Sequence, residues 1–588
     1  MTSQTFEIVI VGGTPGGLMA AIAAARRGHT AVILERNQFI GGLPTNGLGA
    51  TDIQTRGATG GLFLEFVSRV KRHYSQTYGE HSPQVDACAE GYRFEPSVAQ
   101  TVFEQWLLEY GDLLTVRCRR QFDANPSNVC LHEGCLAQIT LTDLDTDAEE
   151  HYQAKVFIDG TYEGDLAAAS GVSYYLGRED STAFDEPMAG KTYQYWNGPL
   201  APHSTGHGDN AIQAYNYRLP LTCNPEQRIP ITKPKIYDRN EFISLVDDLQ
   251  ANRTTYQTPG FTTERETDGI GRQVNLVPLP NDLFDANNQH ASLISTDLAE
   301  ENWPWPTASW AWRDQFAQRL RDYTLGLIWF AQNDAALPHS FRQQCQKWGL
   351  AKDQYIDNEH FPRQVYVREG RRIDGDHLFT AHDALPTKDG GRPPIHADSI
   401  TACHYQLDSH AVLKREKGRP CLDGFFKLSS RPYTVPYGVI MPKRIEGLLT
   451  PVPVSGTHIG FSTLRMEPCW MALGQAAGIA ACLAVEQSIK PRNVPIADLQ
   501  HQLVLQGAVL IYFKDAQPGD DHYWALTQMA LRGILGDDQW AACLHDVIDP
   551  PVATDWVNRV GINLPHGYQP GVTTRGELLE LLHKNRTP

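Results

Sequence analysis

The 588-residue chain has no Cys-x-x-Cys pair, no basic run, and no stretch of about 20 strongly apolar residues such as a membrane span needs. Each absence argues against a class of function. The eleven cysteines are scattered, and an odd count without a framework suits a reducing compartment. Their only tight cluster, Cys130-Leu131-His132-Glu133-Gly134-Cys135, lacks a second ligand pair, so it reads as a loop with ordinary thiols and no metal site is expected. Lys and Arg number 51 against 68 Asp and Glu, a net charge of −17, which disfavours nucleic acid as a partner and favours solubility. The most apolar run, Pro468 to Val485, contains Gln475 and many small residues and reads as a buried helix rather than a membrane span. The first strand reads from about residue 6, which leaves no room for a charged and then apolar leader, so a cytoplasmic protein without a membrane partner is expected.

What the chain does have is a nucleotide cradle at its start. Phe6 to Val11 reads as a buried strand, Gly12-Gly13-Thr14-Pro15-Gly16-Gly17 as a turn, and Leu18 to Arg27 as an Ala-rich helix stopped by Gly28. Thr30 to Leu34 reads as a second strand with Glu35 at its end, so the acid follows the glycines by about 20 positions, as a dinucleotide-binding βαβ unit requires. Gly12 permits the tight turn, with Thr14 in place of the usual middle glycine. Gly17 lets the helix lie close to the strand. The helix N-terminus, reached through Pro15 and Gly16 of the turn, offers N–H groups and a positive dipole end to a pyrophosphate. Glu35 is placed to accept hydrogen bonds from a ribose diol. Arg36 and the pair Gly41-Gly42 follow at once, and bare backbone there can lie along a long cofactor.

Several stretches resemble one family of FAD-dependent oxidoreductases of the fumarate-reductase-like, two-domain flavoprotein superfamily. They are GGTPGG (12–17), GGLPTNGLGATD (41–52), FIDGTYEGDLAAASGV (157–172), VYVREGRRIDG (365–375) and SGTHIGFSTLRMEPCWMALGQAAGIAA (455–481). The resemblance implies an α/β fold: a Rossmann-like FAD-binding domain interrupted by an α+β substrate domain, followed by a small helical module. The expected boundaries are 1–60, 93–180 and 435–495 for the FAD-binding parts, 181–434 for the substrate domain and 496–588 for the module. It also implies that Asp159-Gly160, after the strand Ala154 to Ile158, contacts the nucleotide, and that the helix Leu473 to Val485, with Gly474 and Gln475, points its N-terminus at the flavin. Val116, in the strand Leu113 to Cys118, joins the expected cofactor-contacting residues. Non-covalent FAD is expected, because no His follows Gly41-Gly42 before His73. Between 181 and 434 no second Gly-rich βα unit is visible, and Asp268-Gly269-Ile270-Gly271 reads as a loop.

Candidates for chemistry lie around the last FAD segment. His458 fits a general base or proton relay, or bonds only to backbone. Arg465 fits an anion holder, or a partner for Glu467. Tyr437 and His410 complete the catalytic candidates, and Arg371 and Arg372 are candidate substrate-binding residues. Asn302 to Arg313 carries four tryptophans, either a packed aromatic corner or a stacking platform. The expected reaction removes a hydride from a C–OH, C–N or CH–CH centre of a small polar molecule, by a dehydrogenase or an oxidase. An NAD(P)H-dependent flavin monooxygenase and a non-catalytic flavin scaffold are the alternatives. In the tail, Phe513-Lys514-Asp515, His522 to Ala525, Ala530 to Leu535 and Thr574 to Leu578 resemble a single S-layer-homology-like unit, read as a structural cap with its own small core.

Overall fold

The structure is a computed structural model that describes residues 3–195, 198–255, 257–258, 261–262, 268–388 and 390–585. Its organising element is a five-stranded parallel sheet. Strands β1 (Ile8–Val11), β2 (Ala31–Leu34), β3 (Leu114–Arg117), β4 (Val156–Asp159) and β5 (Leu448–Leu449) lie in the order β5-β4-β1-β2-β3. Ile10 pairs with Ile33 on one side and with Ile158 on the other, so the cradle strand is central. The edge strand β5 is only two residues long.

Both faces of this sheet are covered, which is why its strands are apolar throughout. Ile8, Ile10 and Ile33 pack toward helices α1 (Pro15–Arg26) and α3 (Glu467–Gln487). Val9, Val11 and Val32 pack against a mixed sheet built around the antiparallel pair Cys135–Asp143 and Ala148–Gln153. The small residues of both helices set their approach. A Cβ on Gly474 would lie 2.0 Å from the Gly16 carbonyl oxygen, and one on Gly478 would lie 2.3 Å from that of Ala20. Helix α3 is the one helix among the described residues long and apolar enough to cross a membrane, and all of its apolar window is buried inside the protein.

Residues 181–434 build a different kind of structure. Five short strands, Arg228–Ile229, Gly349–Ala351, Leu219–Thr222, Phe284–Asn288 and Val274–Pro278, form an antiparallel sheet, accompanied by the long helix Trp310–Asn333. Among the described residues every strand pair within 181–434 is antiparallel, so no second dinucleotide-type βαβ unit occurs there. Asp268 to Gly271 is not plain loop, because Gly269–Arg272 closes a 3-10 turn.

The tail begins inside the body. Helix Ile496–Leu505 buries Leu499 and Leu503 in the main core. The Gly61 N–H donates to the Gly507 carbonyl at 2.7 Å, and the Ala402 N–H to that of Val509 at 2.6 Å. Residues 496–511 are therefore built into the body rather than into a separate module. Leu531, Ile534 and Leu578 are buried in a cluster continuous with that core, whereas Trp524 is only half-buried.

Candidate functional site

The first part of the site is a cleft of about 770 Å³ over the cradle, the open solvent at its mouth included. Its floor is bare backbone. Gly12 has φ +100°, and a Cβ there would lie 2.7 Å from the Gly160 backbone. A Cβ on Gly17 would lie 2.1 Å from the Gly12 carbonyl oxygen. Thr14 explains the missing middle glycine: its hydroxyl caps α1 by accepting from the Gly17 N–H at 3.3 Å and donates to the Gly160 carbonyl at 2.6 Å. One side chain thus caps the helix and locks β1's turn to β4's. Glu35 accepts from the N–H groups of Gly13 and Asn37, each at 2.7 Å. Burial raises its pKa. Gly41 donates to the Gly13 carbonyl at 2.7 Å, and Gly42 abuts the Tyr162 hydroxyl.

The inserted region supplies the opposite wall. Trp310 lines the cleft, with the Arg36 guanidinium 4.3 Å over its ring, and its indole N–H donates to the Phe122 carbonyl at 2.8 Å. Trp305 lines the cleft and donates to Glu163 at 3.2 Å. Trp312 stacks on Phe316 and Trp303 donates to the Val412 carbonyl, so the four tryptophans divide between cleft wall and packed corner. A glycine floor, an acid for a diol and an aromatic wall fit a dinucleotide.

Several expected cofactor contacts take other roles. Val116 is 37% exposed on edge strand β3 and does not line the cleft; Arg120 and Phe122, just beyond it, do. Gly474 serves helix packing against Gly16. Gln475, in the third turn of α3, accepts from the Leu62 N–H at 2.9 Å and is enclosed by protein. Asp159 is wholly buried and accepts from Thr161 and Ala167, shaping the Gly160 turn. Burial pushes its pKa up to about 6.

The second part of the site is a buried charged cluster behind the cleft wall. Along Val365 to Arg368 alternate residues face opposite ways. Val365 and Val367 line the cleft, whereas Tyr366 and Arg368 enter the cluster. Arg465 donates to the Tyr366 hydroxyl at 3.1 Å and to the Asp408 carbonyl at 3.0 Å, and its Nε is buried without a partner. Arg368 lies 4.6 Å over the Tyr366 ring and 2.9 Å from Asp297. Arg218 pairs with Asp285 and sits 3.8 Å from Asp52. Asp285 in turn accepts from the Gly49 and Ala50 N–H groups, tying in the loop that carries Asp52.

His410 belongs to this cluster: its Nδ1 lies 2.8 Å from Asp297 and its Nε2 3.8 Å from Asp408. Burial, then the positive Arg368, holds the imidazole well below its ordinary pKa. Burial also pushes Asp297 up to about 6. His458 is on the other side of the strand Leu407–Ser409. Asp408 and His410 face Arg465, while Ser409 between them faces His458 at 3.3 Å. There His458, the first residue of α2 (His458–Leu464), lies 3.0 Å from Glu369, which also pairs with Arg372. Burial alone would raise Glu369; His458 and Arg372 outweigh it and lower its pKa.

The structure thus separates residues the sequence reading grouped. His458 and Arg372 form one buried ion network, with Arg372 also bound to Glu179 at 2.8 Å. Arg371 pairs with Asp165 at 2.6 Å, so both arginines are engaged in buried ion pairs. Tyr437 donates to the Pro491 carbonyl at 2.9 Å, away from both groups. Arg465 does not pair with Glu467, whose carboxylate instead accepts from Tyr162 at 2.6 Å. Burial pushes Glu467 up to about 8.

A family described as FAD dependent oxidoreductase matches residues 7–503. The chain belongs to that family. Its fold is a Rossmann-like FAD-binding α/β fold. An NADH oxidase from Thermoanaerobacter brockii is 50% identical over 36 residues, 6% of this chain and 6% of that enzyme. Among solved structures, the OxyS anhydrotetracycline hydroxylase of Streptomyces rimosus aligns at 12% identity over 48% of this chain and 44% of its own, with TM-score 0.24. The glycerol-3-phosphate dehydrogenase from Bacillus halodurans, solved with FAD, aligns at 11% identity over 31% and 41%, with TM-score 0.19.

Proposed function

We propose that the chain oxidises a small polar substrate carrying an anionic group, drawing a hydride from a C–OH, C–N or CH–CH centre, with FAD held without a covalent bond. The observation that carries this reading is the Asp297–His410 pair beside Arg465, set behind the wall of the nucleotide cleft. A second pocket, of about 990 Å³ with the open solvent at its mouth included, is lined by Asp297 and His290. The His290 ring lies 4.7 Å from that of His410. This pocket is the proposed substrate entrance.

FAD, when bound along the cleft, supplies the hydride acceptor. The chain's own residues supply the rest. Gly12, Gly13 and the α1 N-terminus would hold the pyrophosphate, and Glu35 the ribose. Asp297 accepts from His410 Nδ1–H, which leaves Nε2 bare to take the proton that the substrate loses with its hydride. Burial keeps that imidazole neutral near pH 7, so it is competent to accept. Arg465, with its unpartnered Nε, would hold the anionic group. Burial of His410 and Arg465 limits water at the exchange.

The test is anaerobic mixing of the flavin-loaded protein with hydroxy acids, amines and amino acids, following bleaching of the flavin band. Reduction by one of these classes without nicotinamide supports the proposal. Rapid bleaching by NADH or NADPH alone overturns it in favour of a monooxygenase, and reduction by none favours a scaffold. Admitting dioxygen afterwards separates oxidase from dehydrogenase.

A further inference from the structure

We propose that His377, Asp383 and His396 form a binding site for a divalent transition-metal ion of the zinc class, apart from the flavin chemistry. The Nε2 atoms of both histidines converge on one carboxylate oxygen: His377 lies 3.2 Å and His396 3.0 Å from Asp383 Oδ1. One donor atom from each residue lies within 4.8 Å of the others. Zinc bonds of about 2.0–2.2 Å place neighbouring donors roughly 3–3.5 Å apart, so these spacings match a shared ion.

Two further observations favour an ion over a plain hydrogen-bonded trio. His396 Nε2 is buried and has no hydrogen-bond partner of acceptable geometry, although Asp383 Oδ1 is so close. A metal would satisfy that nitrogen. Asp383 is also pre-aimed: its other oxygen, Oδ2, accepts from the Thr380 N–H at 2.7 Å and the Thr380 hydroxyl at 3.0 Å. That fixes the carboxylate and leaves Oδ1 for the ion, the outer-shell arrangement that metal sites use.

The backbones are anchored as well. The His377 N–H donates to the Gly438 carbonyl at 3.2 Å, and the His396 N–H to the Thr434 hydroxyl at 3.0 Å. Side-chain exposures of 32% for His377, 12% for Asp383 and 15% for His396 leave one side of the site open, for a water as fourth ligand. The trio His290, Asp408 and His410 has similar donors. There, however, Arg368, Arg465 and Lys427 face His410 and would repel a dication. An ion at His377 and His396 would close the chain between them into a clip. The clip lies beside Phe379, whose carbonyl accepts from the Thr457 N–H at 2.9 Å, at the start of α2.

The experiment uses the untagged full chain with its flavin bound, treated with chelator and dialysed, then titrated with Co²⁺ by visible d–d absorption and with Zn²⁺ by calorimetry. One equivalent should bind with an imidazole-type Co²⁺ spectrum, and Zn²⁺ should displace it. His396→Ala and Asp383→Asn should each weaken binding at least about tenfold, with flavin content and flavin reduction unchanged. Zn²⁺ should raise the melting temperature of the parent protein and not that of His396→Gln, which keeps a polar side chain if the Ala variant folds poorly. Absence of saturable binding in the parent, or full binding in a His377→Ala/His396→Ala variant, overturns the proposal.

Discussion

The nucleotide cleft and the charged cluster behind it are built on opposite principles. The cleft floor comes from local segments: one turn, two strands and a second glycine pair, all within residues 8–42. Its working parts are backbone atoms, and side chains are excluded at Gly12 and Gly17 because there is no room for them. The cluster comes from segments spread between Asp52 and Arg465, and its working parts are charged side chains that burial makes costly unless paired. A cradle therefore tolerates sequence change wherever backbone geometry survives. The cluster cannot lose one member without stranding another.

The largest expected effect tests the cleft. Gly12→Val places a branched side chain at φ +100° and into the Gly160 backbone, so FAD binding should be lost entirely, read as the flavin-to-protein ratio of protein with native circular dichroism. A yellow Gly12→Val protein would break the bare-backbone account.

Next comes the cluster. His410→Ala should slow flavin reduction by about 10²–10⁴-fold with flavin content intact. His458→Ala, on the other face of the same strand, should instead cost stability, roughly 3–5 kcal/mol by denaturant unfolding, because Glu369 loses a buried partner. If His458→Ala stops reduction and His410→Ala does not, the two faces have been assigned the wrong way round.

Smaller effects sharpen the picture. Trp310→Ala removes the ring under Arg36 and should weaken FAD about tenfold, measured by flavin fluorescence on titration of the apoprotein. Glu467→Gln should change only the pH profile. Folding raises the Glu467 pKa from 4.5 to about 8, so the stability linked to its proton is full below pH 4.5 and is lost as pH rises through 8. Melting temperatures from pH 5 to 9 should thus fall less steeply in the Gln variant.

Legibility followed chain distance. Gly12, Gly17, Glu35 and Gly41-Gly42 were readable because a dinucleotide turn imposes residue types at short, fixed spacing; of these, Gly12 and Glu35 line one cleft. Tyr366 and Arg368 lay in a quoted motif, yet their role depends on an extended segment whose alternate residues face cleft and cluster. Val116 and Gln475 lie off the cleft for the same reason: spacing gave their position along the chain, and the fold decided which way each side chain points.

The amino-acid sequence by itself determined the βαβ cradle, the FAD-dependent family and the small-residue helix α3, because each rests on local sterics or on a periodic apolar pattern. Tertiary structure alone decided that Trp310 walls the cleft, that His410 rather than His458 shares a cluster with Arg465, and that Arg371 and Arg372 are held in ion pairs. Those outcomes depend on which distant segments meet. A buried charge takes its role from the partner that neutralises it, and that partner is set by the fold rather than by neighbouring residues.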